Sequence, residues 1–296
     1  MAQKEPIPSK KKGFGDSRSI RVLMYHRIAI PESDRELNEY EVDHRAFRRH
    51  IQWLDRWGYT TVTFNDYRLF LEGELDLPKK PVIITFDDGY LETYDIAFPI
   101  LRDYGMKAVL FVVGDVSYET SSWEDDPQNV RPLFSRNQLL EMHAAGFEIG
   151  SHTLTHVKGT EKDPRTFRNE VSRSRILLEI VINAPVLTFA YPYGSVNEER
   201  KAIVADAGYR FACGSYSGPA VFGDDHYEIR RVKVLDSRNV FVFWFQLQPL
   251  YLHYRWVRWK MKLAWEALSQ SFQKDSLRKT RKARVEGEKS TGSIVQ

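Results

Sequence analysis

The chain is almost devoid of cysteine: among 296 residues, Cys213 stands alone. That excludes an intrachain disulfide and any cysteine-ligated metal centre, and it fits a reducing compartment. No apolar run reaches the roughly 18 residues that a membrane-spanning helix needs, and no internal repeat is visible. The first 21 residues are polar and charged, with Lys10-Lys11-Lys12 followed by Gly13 and Gly15, and they contain nothing like the apolar centre of a signal peptide. These absences lead us to expect a cytoplasmic protein. Apolar residues themselves are not scarce. A hydrophobic share of 42% with 13% aromatics is ample for a core and excludes global disorder.

The net charge of +3 is unevenly placed. From Leu250 to Gln296, Lys and Arg outnumber Asp and Glu by 11 to 4, so the rest of the chain carries −4. Just before and within this basic stretch lie Trp244, Phe245, Tyr251, Tyr254, Trp256, Trp259 and Trp265, interleaved with Arg255, Arg258, Lys260 and Lys262. We expect a disordered leader over 1–18, a main domain over 19–240, an aromatic and basic helical extension over 241–273, and a disordered basic tail over 274–296. The extension either folds back onto the main domain or meets a lipid headgroup surface, where long basic side chains and indole rings are at home. Charge alone also permits nucleic acid, but no nucleic-acid-binding motif accompanies it, and nucleic acid is not an expected partner.

Along 19–240, β-rich runs alternate with helical patterns. Strands are expected at 19–25, 60–63, 81–86, 108–113, 147–151, 186–190, 209–213 and 228–234. Helices are expected at 44–57, where Phe47, Ile51, Leu54 and Trp57 form one apolar stripe, and at 91–104, 135–145, 164–182 and 196–207. Gly58, Gly105, Gly146 and Gly208 follow four of these helices where C-terminal caps belong. Such alternation indicates a parallel α/β sheet, either doubly wound or closed as a barrel.

The most informative stretch is Thr85-Phe86-Asp87-Asp88-Gly89, at the end of the apolar run Pro81-Val82-Ile83-Ile84. Adjacent residues of an extended chain point to opposite sides, so the two carboxylates can divide their work between a metal and a substrate. Downstream, Ser151-His152-Thr153-Leu154-Thr155-His156 supplies two imidazoles at i and i+4. One Asp and two His form the short ligand set of a hydrolytic metal site that leaves a position open for water. The plain alternative makes Asp88 a turn former before Gly89 and the histidines polar loop residues.

These motifs, in this order, resemble the polysaccharide deacetylase family of metal-dependent carbohydrate esterases, over about Arg21 to Val234. The resemblance implies a distorted, incomplete (β/α) barrel. It implies Asp88, His152 and His156 as ligands of one divalent ion, with Zn²⁺ expected and Co²⁺, Ni²⁺ or Mn²⁺ also compatible. Asp87 becomes the general base acting on water at the metal. Members that protonate the leaving amine from a histidine near the domain's C-terminal end differ from this chain, whose segment 231–236 contains none. His26, after the first strand, resembles the acid of the poly-N-acetylglucosamine deacetylase branch; His226 is a weaker second candidate, and a core or capping role for His26 stays open. Tyr191-Pro192-Tyr193-Gly194 matches a third family motif, with the Tyr193 amide as oxyanion donor and Tyr191 and Pro192 beside the substrate. The arginine usually found two residues before that proline is Ala190 here; Arg231 or Arg230 is expected to take its place beside Asp87. Tyr90 and Trp123 are candidate sugar-stacking surfaces, with core packing the other reading of Trp123. The expected activity is removal of acetyl groups from an N-acetylated glycan or lipid-linked sugar. The alternative is a catalytically silent carbohydrate-binding protein on the same fold.

Overall fold

The computed structural model describes residues 20–31, 37–234, 239–258, 260–262 and 265. The leader expected over 1–18 and the tail expected over 274–296 lie outside the described residues. The chain divides into two compact units, Met1–Leu252 and His253–Gln296.

The first unit is built on parallel strands: β1 (Arg21–Tyr25), β4 (Thr60–Thr61), β5 (Pro81–Asp88), β6 (Val109–Val112), β7 (Glu148–Ser151), β8 (Thr188–Ala190), β9 (Phe211–Cys213) and β10 (Val232–Lys233). Their order is β10-β1-β5-β6-β7-β8-β9. β4 pairs with the first residues of β5, and β6 with its last four. A separate parallel pair joins β2 (Arg27–Ala29) to β3 (Glu41–Asp43). The helices are α1 (His44–Arg56), α2 (Phe64–Glu72), α3 (Phe98–Asp103), α4 (Arg136–Ala144), α5 (Pro164–Ile182), α6 (Glu198–Asp206) and α7 (Val240–Gln246).

Both faces of the central strand are covered, which is why β5 reads as an unbroken apolar run. Val82, Ile84 and Phe86 face the helices, in one cluster with Phe47 and Ile51 of α1 and Leu101 of α3. Ile83 faces the barrel interior with Val22, Val109, Phe111 and Phe211. By the same alternation Thr85 and Asp87 point inward. At Asp88 the backbone turns into the left-handed region (φ 75°), followed by Gly89 (φ 92°), and the strand stops.

The barrel is closed by one thin connection. Ile229 bridges in parallel to Cys213 of β9, and three residues on Val232 pairs with Leu23 of β1. The strand expected over 228–234 therefore shrinks to Val232–Lys233. A segment that crosses from one edge strand to the other cannot ladder with either for long. This is the distortion that the family resemblance implies.

Other boundaries moved for local reasons. Thr63 leaves the strand expected at 60–63 because its hydroxyl and the Asp66 carboxylate form a reciprocal cap on α2, a helix the hydrophobic pattern had not revealed. The helix expected at 91–104 begins as a π turn, Thr93–Ala97, before α3; Pro99 in the next turn has no N–H for an i−4 carbonyl. α7, which opens the aromatic extension expected over 241–273, packs into the first unit: Phe243 is fully buried, stacked on His50 at 4.3 Å. No helix among the described residues is long and apolar enough to cross a membrane.

A Cβ added at Gly150 of β7 would lie 2.5 Å from Thr188 Oγ1 and 2.6 Å from Phe111 Cδ1. Gly150→Ala is thus expected to destabilise the fold by about 1–3 kcal/mol through overpacking. The check is a lowered urea midpoint at unchanged slope.

Candidate active site

Most residues of the site leave the C-terminal end of a strand, the face on which barrel enzymes carry their chemistry. His26 follows β1, Asp87 and Asp88 end β5, His152 follows β7, and Tyr191 and Tyr193 follow β8. Together with Tyr40, Tyr90 and Glu124 they line a cavity of about 390 Å³.

The two carboxylates are both buried and have different partners. Asp87 is clasped by Arg231, with Nη1 donating to Oδ1 at 2.6 Å and Nη2 to Oδ2 at 2.8 Å. The guanidinium also donates from Nε to the Gly214 carbonyl at 2.9 Å, and from Nη1 to Thr85 Oγ1 at 3.2 Å. Of the two arginines expected to take the place beside Asp87, Arg231 is the one that stands there. Arg230 does not share the task, because its guanidinium donates to the Gly218 carbonyl. Burial alone would push the Asp87 carboxyl up, but Arg231, His26 and His152 outweigh it and hold it below the usual carboxylate range.

Asp88 faces the imidazoles. Its Oδ1 lies 3.3 Å from His152 Nε2 and 3.2 Å from His156 Nε2. His152 Nδ1 is 2.9 Å from the Ala190 carbonyl, which can only accept, so Nδ1 carries a proton and, in the neutral ring, Nε2 presents a lone pair toward Asp88. A carboxylate oxygen facing an imidazole lone pair is repulsive unless a cation lies between them. Asp88 Oδ1 is buried and has no hydrogen-bond partner among the described residues. One donor atom from each of Asp88, His152 and His156 lies within 4.8 Å of the others. This donor set fits a divalent cation.

The loop carrying both histidines is held by a residue that the motifs did not reveal. Glu170 of α5 accepts the Leu154 and Thr155 amides at 3.0 and 2.9 Å and the Thr155 hydroxyl at 2.9 Å. Glu170 sits on the buried stripe of its helix with Phe167, Val171, Ser174 and Leu178. A carboxylate on such a stripe is the signal that could have found it. Of the five non-glycine residues with positive φ among the described residues, Asp88, Thr153, His156 and Tyr193 are at this site; the fifth, Asn183, caps α5. Strained backbone concentrates where geometry serves chemistry.

The remaining expected residues fall out as follows. His26 Nε2 lies 3.8 Å from Asp87 Oδ2; burial lowers its pKa while Asp87 and Asp88 oppose that shift. His226 packs against Tyr67 and Phe211, at the opposite end of β9, and is no part of the site. Tyr193 is 60% exposed, its ring edge-on to His156 at 4.9 Å. Tyr191 is buried, and its hydroxyl donates to the Tyr227 carbonyl at 3.0 Å; Pro192 is buried too. Tyr90 lines the cavity but is only 7% exposed, which leaves little ring face for a sugar; burial and the nearby Asp88 carboxylate push the pKa of its hydroxyl up. Trp123 stacks on His156 at 4.7 Å and does not line the cavity. In this structure both residues pack at the site, Trp123 on the His156 ring and Tyr90 in the cavity wall.

A sequence model of the family described as Polysaccharide deacetylase matches residues 74–212. A Bacillus subtilis protein named for polysaccharide deacetylation, YxkH, is 31% identical over 216 residues, covering 73% of this chain and 71% of that protein. The chain belongs to the polysaccharide deacetylase family. It is a carbohydrate deacetylase, a hydrolase, and the silent binding-protein alternative is set aside. The Staphylococcus aureus poly-β-1,6-N-acetyl-D-glucosamine N-deacetylase is 24% identical, covering 80% of this chain and 86% of that one. Among solved structures, IcaB from Ammonifex degensii superposes with a TM-score of 0.62 at 26% identity, covering 79% of this chain and 96% of that one.

Two outcomes follow for stability. Arg231→Met strands a buried carboxylate and is expected to cost about 3–5 kcal/mol, most of it recovered in Arg231→Met/Asp87→Leu; urea unfolding of both variants checks this. The depressed pKa values of Asp87 and Asp88 add stability that is fully present above the ordinary value of 3.8 and is lost as pH falls through their folded-state values. Melting temperatures measured from pH 6 downward are expected to fall less steeply in that double variant than in the wild type.

Proposed function

We propose that the protein removes the N-acetyl group from N-acetylglucosamine units of a glycan, with Asp88, His152 and His156 holding one Zn²⁺ ion. The observation that carries this reading is the division between adjacent acids: Asp87 tied to Arg231, and Asp88 turned to two imidazoles. The substrate reading draws on the S. aureus relative, which is named for poly-β-1,6-N-acetyl-D-glucosamine. One carboxylate and two imidazoles suit zinc, with Co²⁺, Ni²⁺ and Mn²⁺ compatible on the same donor chemistry. Such an ion, when bound, supplies Lewis acidity that polarises the acetyl carbonyl and lowers the pKa of water.

The chain's own residues do the rest. Asp87, kept ionised by Arg231, accepts a proton from the attacking water. The Tyr193 amide, on a turn of left-handed backbone (φ 58°), donates to the oxygen that gains charge. His26, beside Asp87, gives its proton to the departing amine. Acetate and a free amino sugar result. Arg231 is the positioning residue in this scheme, since it acts through Asp87.

Elemental analysis of protein purified without a metal-binding tag is expected to find close to one divalent ion per chain, and His156→Ala to lose it. A wild type that stays metal-free after zinc incubation and dialysis would sink the proposal. Asp87→Asn and His26→Ala are each expected to keep the ion while losing about 10²–10⁴-fold in kcat, read as acetate release from N-acetylglucosamine oligomers.

A second reading concerns where the glycan is met. Phe241, Trp244 and Leu250 are exposed in the first unit, and Tyr254, Met261 and Trp265 in the second, where Arg258 and Lys260 accompany them. We propose that the second unit's exposed face rests on an anionic lipid surface, which favours a lipid-linked or membrane-proximal sugar. The full chain is expected to sediment with anionic vesicles and Met261→Glu/Trp265→Glu to stay in solution; equal sedimentation of the two excludes this anchor.

A further inference from the structure

With Trp123 stacked on His156 and Tyr90 buried, neither residue proposed from the sequence offers the cavity an open aromatic face. Among the described lining residues, two tyrosines are largely open: Tyr193 at 60% and Tyr40 at 50% exposure. Each is backed by a histidine of the site. The ring of Tyr193 lies 4.9 Å from His156, and that of Tyr40 lies 5.0 Å from His26.

The placement of Tyr40 is fixed by backbone register. β2 starts directly after His26 and β3 directly after Tyr40, and Arg27 is the register partner of Glu41. The two preceding residues are therefore neighbours, and the Arg27 amide donates to the Tyr40 carbonyl at 3.2 Å. The turn before β3 is tied down as well. The Tyr40 amide donates to Asn38 Oδ1 at 2.9 Å, and Arg27 bridges the Glu41 and Glu92 carboxylates. Behind the ring, Lys233 Nζ lies 4.2 Å from the Tyr40 centroid and 2.5 Å from Glu39 Oε2. This ring is held on several sides and open toward the cavity, the arrangement of a rigid platform for a partly apolar ligand.

We propose that Tyr40 is a substrate-binding residue, its ring stacking on the pyranose that bears the acetamide. This rests on the deacetylase reading of the same site and adds the surface that holds the sugar. Tyr193 would flank the sugar from the His156 side, and specificity for a pyranose ring over a flexible amide would come from the Tyr40 face.

The test separates the two readings. Calorimetric titration of β-1,6-linked N-acetylglucosamine oligomers into the Asp87→Asn protein measures binding without turnover. Adding Tyr40→Ala is expected to weaken binding about tenfold, the scale of a lost aromatic contact, and Tyr40→Phe to restore it. In the hydrolytic protein Tyr40→Ala is expected to raise KM with kcat within about twofold. Unchanged affinity and KM in Tyr40→Ala overturn the assignment. A fall in kcat alone with a displaced pH profile also overturns it, since Tyr40 would then act through His26. Ring-dependent binding in a protein that releases no acetate would leave Tyr40 standing and remove the deacetylase reading.

Discussion

Two carboxylates adjacent in the chain are buried at the end of one strand, and neither can stay ionised there unaided. Desolvation of a lone carboxylate is severe enough that the group would take up a proton instead. The surroundings of Asp87 and Asp88 answer this constraint in two different ways. Asp87 receives a planar guanidinium that matches both of its oxygens. Asp88 receives two imidazoles, whose nitrogens lie close enough to its carboxylate for the three to share one cation. Strand alternation separates the two solutions in space, and the left-handed turn at Asp88 keeps them from merging. The proposed split between a base and a ligand thus begins as a problem of charge burial.

The supporting contacts follow from it. The lone pair of His152 is aimed by a bond to the Ala190 carbonyl, so the position that lost an arginine side chain still serves the site through its backbone. Glu170 clamps the loop between the histidines, and Trp123 covers the ring of His156. These are outer contacts of the kind that set ligand orientation and tautomer. They come from the end of β8, from α5 and from the long loop after β6, so the rigidity of the site is borrowed from groups outside the donor set.

Much of this was legible in the sequence, because the informative signals were local. The order of strands and helices, the acids at 87 and 88 and the histidine pair at 152 and 156 depend on spacing alone. α5 was bounded correctly because Asp163, Pro164 and Asn183 mark its ends in the primary structure. Contacts across the fold were less legible. Nothing in spacing distinguishes Arg231 from Arg230; only the inward parity that Arg231 shares with its partner decides. The small β2–β3 pair was hidden because three-residue strands carry too little pattern. Trp123 lies in a loop whose polarity suggested exposure, and its partner His156 is remote from any local signal. α2 is a case of a cap outranking a stripe: Thr63, Asp66 and Gly73 mark it better than its apolar residues do.

The thin closure of the barrel has a consequence for the order in which the molecule becomes active. Arg231 rides on the segment that joins β9 to β1, separated from Asp87 by 144 residues. During synthesis the strands from β1 to β9 emerge before their counter-charge does, so Asp87 cannot be buried as an anion until nearly the whole domain has left the ribosome. Completing the ring and pairing Asp87 with Arg231 are one event. A chain stalled or clipped before residue 231 retains the Asp87-Asp88 pair and the histidines at 152 and 156 yet lacks the guanidinium that pairs with Asp87, so the proposed base is left without its counter-charge.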